Sequence, residues 1–116
     1  MNRFVQLAYG AGRALRNLSV AFVMAGAAQA ETVTVAALGD SLTQGYGLLP
    51  EEGFVPQLES WLQAAGADVT VINAGVSGDT TAGGLARAAW TLTPEVDAVI
   101  VALGGNDLLR GIDPAE

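Results

Sequence analysis

The sequence predicts an α/β domain, with a parallel sheet layered between helices in an α/β/α arrangement, of which these residues hold an incomplete share. Three observations predict it. Short β-branched or apolar runs alternate with segments of helical periodicity, the β-α-β-α-β order of a three-layer fold. The last apolar run is unbroken, as in strands covered on both faces. Each run also ends in a Gly-rich polar stretch, where the loops of an open parallel sheet collect ligands.

Residues 32–38 (TVTVAAL) are β-branched and apolar and predict the first strand. Residues 53–65 predict a helix. Phe54, Val55, Leu58, Trp61, Leu62 and Ala65 fall on one face, which puts the Trp61 indole in the core. Glu51 and Glu52 precede this helix and Gly66 stops it. Residues 69–72 predict a second strand. A helix over about 81–90 follows, capped by Asp79 or Thr80, and Pro94 marks the next turn. Residues 98–103 (AVIVAL) predict a strand buried on both faces. Both crossovers should be right-handed. Asp113, Pro114 and Glu116 have the chemistry of a helix start. With the open edge of a three-stranded sheet, they lead us to expect a domain that continues past residue 116.

The 116 residues allow one domain at most. At 51% apolar residues, the chain is not a disordered tail. Residues 1–30 predict a secretory signal. Arg3, Arg13 and Arg16 precede an uncharged apolar run over 18–28, and Ala28, Gln29 and Ala30 form a small-x-small cleavage pattern. The run is shorter than the ~20 apolar residues of a spanning helix, so no stable membrane span is expected once the signal is cut after Ala30. The expected location is periplasmic or secreted, with the N-terminal part of one domain over 31–116. Three arginines and no acid leave with the signal, so the remainder carries two basic and 12 acidic side chains, a net −10. Such a surface repels nucleic acid and anionic membrane. With no cysteine there is no disulfide framework and no thiolate metal site. With no histidine there is no Ser-His pair and no imidazole ligand within these residues. The sequence fixes no oligomeric state.

Three polar stretches carry the candidate chemistry: residues 39–47 (GDSLTQGYG), 73–79 (NAGVSGD) and 104–107 (GGND). Following three parallel strands, they gather at one sheet edge, so Ser41, Gly75 and Asn106 can share a site. Ser41 follows a strand and precedes a helical turn, which exposes its hydroxyl near helix N–H groups that favour developing negative charge. Gly75 can bring a backbone N–H close to a substrate oxygen. Asn106 offers an amide donor. Such donors can form an oxyanion hole for acyl transfer. The same loops are compatible with a simple binding site, since Gly-Asp-Ser after a strand also makes ordinary turns.

Gly39-Asp40-Ser41-Leu42 with Gly45-Tyr46-Gly47 resembles the first block of the SGNH (GDSL-type) hydrolases. Residues 73–80 resemble their second block and residues 104–107 their third, in the right order. Residues 84–87 (GLAR) and 108–111 (LLRG) are similar to the bacterial periplasmic branch of thioesterases and arylesterases. The resemblance implies a flavodoxin-like SGNH fold and Ser41 as nucleophile. It also implies an oxyanion hole of the Ser41 N–H, the Gly75 N–H and the Asn106 side chain, with Asp40 bracing the loop. The substrate is expected to be a small ester or thioester, cleaved through an acyl-enzyme with no metal or organic cofactor. The family's fourth block, Asp-x-x-His, supplies the base and does not occur here. A serine hydroxyl is a weak nucleophile without a base, and removing the base can cost on the order of a millionfold. These residues alone are therefore expected to be inactive.

Three rival readings compete. A nucleotide-binding domain lacks its motifs, since the first loop has neither G-x-G-x-x-G nor Gly-Lys-Ser/Thr. A metal-dependent hydrolase would use Asp40, Asp79 and Asp107 for Mg²⁺. A non-catalytic remnant would bind acyl or carbohydrate ligands without turnover.

Overall fold

The computed structural model describes residues 30–115. Apart from Ala30, the predicted export segment lies outside the described residues. The elements are β1 (Val33–Gly39), α1 (Ser41–Gln44), a 3₁₀ turn (Pro50–Glu52), α2 (Phe54–Ala64), β2 (Val69–Gly75), α3 (Thr81–Thr91), β3 (Ala98–Ala102) and α4 (Gly105–Arg110). No described helix is long and apolar enough to cross a membrane.

The sheet order is β2-β1-β3, and both ladders are parallel. The chain steps from β1 one way to β2 and then back across β1 to β3. Two crossovers of the same hand must then lie on opposite faces. On one face Val35, Ala37, Val69 and Val71 pack against Val55, Leu58 and Leu62 of α2. On the other, α3 packs over β1, whose Ala36 and Leu38 are buried. This is the α/β/α layering predicted from the alternation of runs, in incomplete form. Its topological switch point lies between β1 and β3.

The predicted helix over 53–65 forms as Phe54–Ala64, but its apolar face is narrower than the spacing implied. Val55, Leu58 and Leu62 meet the sheet, whereas Trp61 is 68% exposed. Its indole was expected in the core. At ~3.6 residues per turn, it sits about 100° from Leu62 and clears the sheet.

β2 is longer than the predicted 69–72. It continues through Asn73, Ala74 and Gly75, which pair with Ala37, Leu38 and Gly39. Ladder pairing beats the poor strand propensity of Asn and Gly. β3 was expected to be buried on both faces. Instead it is an edge strand among the described residues, with Val101 63% exposed. The outer edge of β2 is covered by α2 side chains. Glu59 Oε2 accepts from the Val71 N–H at 2.7 Å, and Gln63 Nε2 donates to the Val69 carbonyl at 2.9 Å. Asp113 Oδ1 accepts from the Ala115 N–H at 2.9 Å, as a helix cap would, though residues 114–115 form only a turn.

Candidate active site

The three strands end level. Gly39 pairs with Gly75 on one side and with Ala102 on the other. The polar stretches therefore leave the sheet from neighbouring points, about one strand spacing (~4.8 Å) apart.

Asp40 caps the single helical turn α1. Its carboxylate accepts from the Leu42 N–H at 3.0 Å, and the residue is 6% exposed. Ser41 is the first helical residue, half-buried, and Gly45 ends the turn in the left-handed conformation at φ 90°. Thr43 tucks under the turn, only 2% exposed. A Cβ at Gly39 would overlap its side chain, so glycine lets α1 fold back over the end of β1.

Gly75 is the last residue of β2, not a loop residue as predicted. A Cβ there would collide with the Gln44 backbone, so β2 and α1 touch main chain to main chain. The Gly75 N–H donates to Asn73 Oδ1 at 3.0 Å. A substrate oxygen would have to share or displace that acceptor. Asn73 Nδ2 donates to the Gln44 carbonyl at 3.2 Å, and Gln44 Oε1 accepts from both the Ser77 N–H, at 3.0 Å, and the Ser77 hydroxyl. Gln44 and Asn73 thus lock the first and second polar stretches together.

The third stretch is helical rather than a loop, because Gly104 at φ 114° turns the chain straight into α4. Asn106 lies in the first turn of α4, half-buried. Its Nδ2 donates to the Asp79 carbonyl at 2.8 Å. A carboxamide nitrogen carries two hydrogens, so one remains for another acceptor.

The three acids of the metal reading are committed separately. Asp40 binds the Leu42 N–H, Asp79 binds Arg87, and both Asp107 oxygens accept from the Thr81 N–H at 3.0 Å. No group of three or more His, Cys, Asp or Glu residues that could hold a metal occurs among the described residues. A groove of about 1000 Å³ runs between α3 and α4, lined by Leu85, Leu108, Ile112 and Pro114 among others. It flanks Asn106 through Gly104 and Asp107 but does not include Ser41 or Gly75.

Sequence reasoning passed over Arg87. Its guanidinium donates to Asp79 Oδ2 at 2.7 Å, the Ala74 carbonyl at 2.8 Å and the Gly39 carbonyl at 3.0 Å. The available signal was that only Arg87 and Arg110 are basic after residue 30.

Strand order and loop placement together define a three-layer α/β domain with its polar stretches gathered at one sheet edge. The chain belongs to the GDSL-like lipase/acylhydrolase family, whose model matches residues 37–116. It is similar to Esterase TesA of Pseudomonas aeruginosa, 46% identical over 89 residues that cover 76% of this chain and 44% of that protein. It is also similar to an arylesterase of Vibrio mimicus, 43% identical over 101 residues, or 86% of this chain and 50% of that protein. Among solved structures, the SGNH-hydrolase family esterase AlinE4 superposes with a TM-score of 0.69 at 49% identity, covering 74% of this chain and 47% of that one. The chain thus spans about half the length of the curated relatives it matches.

Proposed function

We propose that the whole protein is an exported serine ester hydrolase that works through an acyl-enzyme on Ser41. The observation that carries this reading is the level ending of the three strands, with Gly39 paired to both Gly75 and Ala102. Family membership supports it. In this reading the Ser41 oxygen attacks the acyl carbon of a small ester or thioester. The carbonyl oxygen becomes an oxyanion held by the Ser41 N–H, the Gly75 N–H and the free hydrogen of the Asn106 amide. Collapse expels the alcohol or thiol, and water then releases the acid. Asp40 holds the turn through the Leu42 N–H rather than acting as a base. The signal over 1–30 would deliver residues 31–116 to the periplasm or the exterior.

The Ser41 proton needs an acceptor, and the 116 residues contain no histidine. Activity is therefore assigned only together with an imidazole from outside these residues, and the 116 residues alone are expected to be inert. The test is hydrolysis of a short p-nitrophenyl ester by the full-length protein and by its Ser41→Ala variant. Turnover that Ser41→Ala abolishes without changing the melting curve supports the reading. Turnover that survives the substitution sinks it, and saturable ligand binding without any turnover favours a non-catalytic remnant.

A further inference from the structure

We propose that Arg87 is a positioning residue that sets the nucleophile and the oxyanion donors relative to one another. The inference rests on the roles of Ser41, Gly75 and Asn106 stated above. One planar guanidinium bonds the first and second polar stretches directly, and Asp79 relays the contact to the third. Nη2 donates to the carbonyl of Gly39, two residues before Ser41, at 3.0 Å. Nη1 donates to the carbonyl of Ala74, adjacent to Gly75, at 2.8 Å. Nε donates to Asp79 Oδ2 at 2.7 Å. The carbonyl of Asp79 in turn accepts from Asn106 Nδ2 at 2.8 Å. The ends of β1 and β2 and the support of Asn106 are thus joined through a single side chain.

The chemistry suits arginine and no other residue. Its donors project in a fixed fork, so three bonds made together define a plane and a set of distances. An ammonium is a point charge on a flexible stem and cannot hold the same three acceptors in one plane. The pair with Asp79 is largely shielded, at 23% and 14% side-chain exposure. Gly83 belongs to the same device, since a Cβ there would overlap the Asp79 carboxylate. The Gly39 carbonyl also accepts from the Val76 N–H at 3.0 Å, so the strand ends are cross-tied twice. Displacing reacting groups by about 1 Å can cost on the order of 10²-fold in rate. A brace across all three stretches controls displacements of that size.

A residue that merely attached α3 to the sheet would alter stability alone. The experiment therefore compares Arg87→Lys with the unmodified full-length protein in steady-state ester hydrolysis, thermal melting and ¹⁵N NMR. Ser41→Ala is the control for the function itself. The expected result is a fall in kcat of about tenfold to 10²-fold with little change in KM. The Gly75 backbone amide and Asn106 side-chain amide signals should move while those of Val55 and Leu58 stay in place. Unchanged kcat, a loss confined to KM, or unmoved Gly75 and Asn106 signals each overturn the proposal. If Ser41→Ala keeps turnover, the function reading falls by itself, and the NMR shifts still decide whether Arg87 orders the three stretches. Should Arg87→Lys fail to fold, Asp79→Asn carries the same measurements. It keeps an acceptor for Nε but lacks the charge that orients the fork, and the same pattern of kcat and signals is expected.

Discussion

Replacing Gly75 with alanine tests the contact on which the site is built. Gly75 has no positive φ, so its backbone accepts any residue. The objection to a side chain is purely steric. A Cβ would stand 2.7 Å from Gln44 Cα and 2.8 Å from Thr43 C, and closer still to the Gln44 nitrogen. Carbon atoms settle at about 3.5–4.0 Å, so α1 would have to retreat by roughly 0.7–1.3 Å. The obstacle is main chain, which cannot rotate aside as a flexible side chain would. Overpacking of this kind costs about 1–3 kcal/mol. Because α1 carries Ser41, the same retreat should lower turnover by about 10²-fold. The assay is urea denaturation of the full-length protein beside p-nitrophenyl ester hydrolysis. Gly47→Ala serves as comparison. It has φ 78° but nothing within 4 Å of a Cβ, so it should show only the ~1–2 kcal/mol left-handed backbone penalty and keep its rate. A Gly75→Ala protein with unchanged stability and rate would refute the claim that β2 and α1 meet backbone to backbone.

Other substitutions separate support from chemistry. Asn106→Ala should cut kcat by about 10²–10³-fold and leave KM nearly unchanged if its amide stabilises the oxyanion; steady-state kinetics that show no fall in kcat remove it from that role. Asp40→Ala removes the N-cap of α1 and should cost about 0.5–2 kcal/mol in denaturant titrations, whereas Asp40→Asn, which retains an acceptor, should recover most of it. Trp61→Ala should stay within about 0.5 kcal/mol of the parent, because its indole is exposed; a larger loss would mean the ring packs on something. Glu59→Ala uncovers the Val71 N–H at the outer edge of β2, so light scattering should detect more edge-to-edge association.

The alternation of apolar runs and helical spacings was enough for the layers and their order, because burial periodicity is a local property of the chain. Register is not local. Nothing in residues 73–75 favours a strand, and they become one only because β1 supplies partners for Asn73, Ala74 and Gly75. Likewise, the composition of residues 104–107 points to a loop. Gly104 in the left-handed region instead starts a helix at once. The location of the candidate groups was legible, since each lies at or just past a strand end and strand ends gather. Their supports were not. Gln44 bonds a main-chain atom 33 residues away, Asn73 one 29 away, and Arg87 two that are 13 and 48 away, and a main-chain partner leaves no mark on composition. Trp61 failed for the opposite reason. Spacing shows which side of a helix is apolar but not how wide a strip the sheet will cover.

The position of Ser41 follows from the strand order. β1 is central, with β2 on one side and β3 on the other, so its end lies one strand spacing, ~4.8 Å, from each neighbour. A nucleophile there can be approached by a donor from the end of β2 and by another from the helix after β3. On β2 or β3, the same serine would stand about two spacings, ~9.6 Å, from one of its donors, beyond reach of a hydrogen bond to a common substrate oxygen. The switch point adds a second condition, because in open parallel sheets ligands bind where the strand order reverses. A site that needs one hydroxyl and donors from two further strands is therefore best centred on β1. Three stretches converging on that point must also be fixed against one another; the Arg87 fork bonds the ends of β1 and β2 and Asp79, and the Asp79 carbonyl, accepting from Asn106, brings in the third.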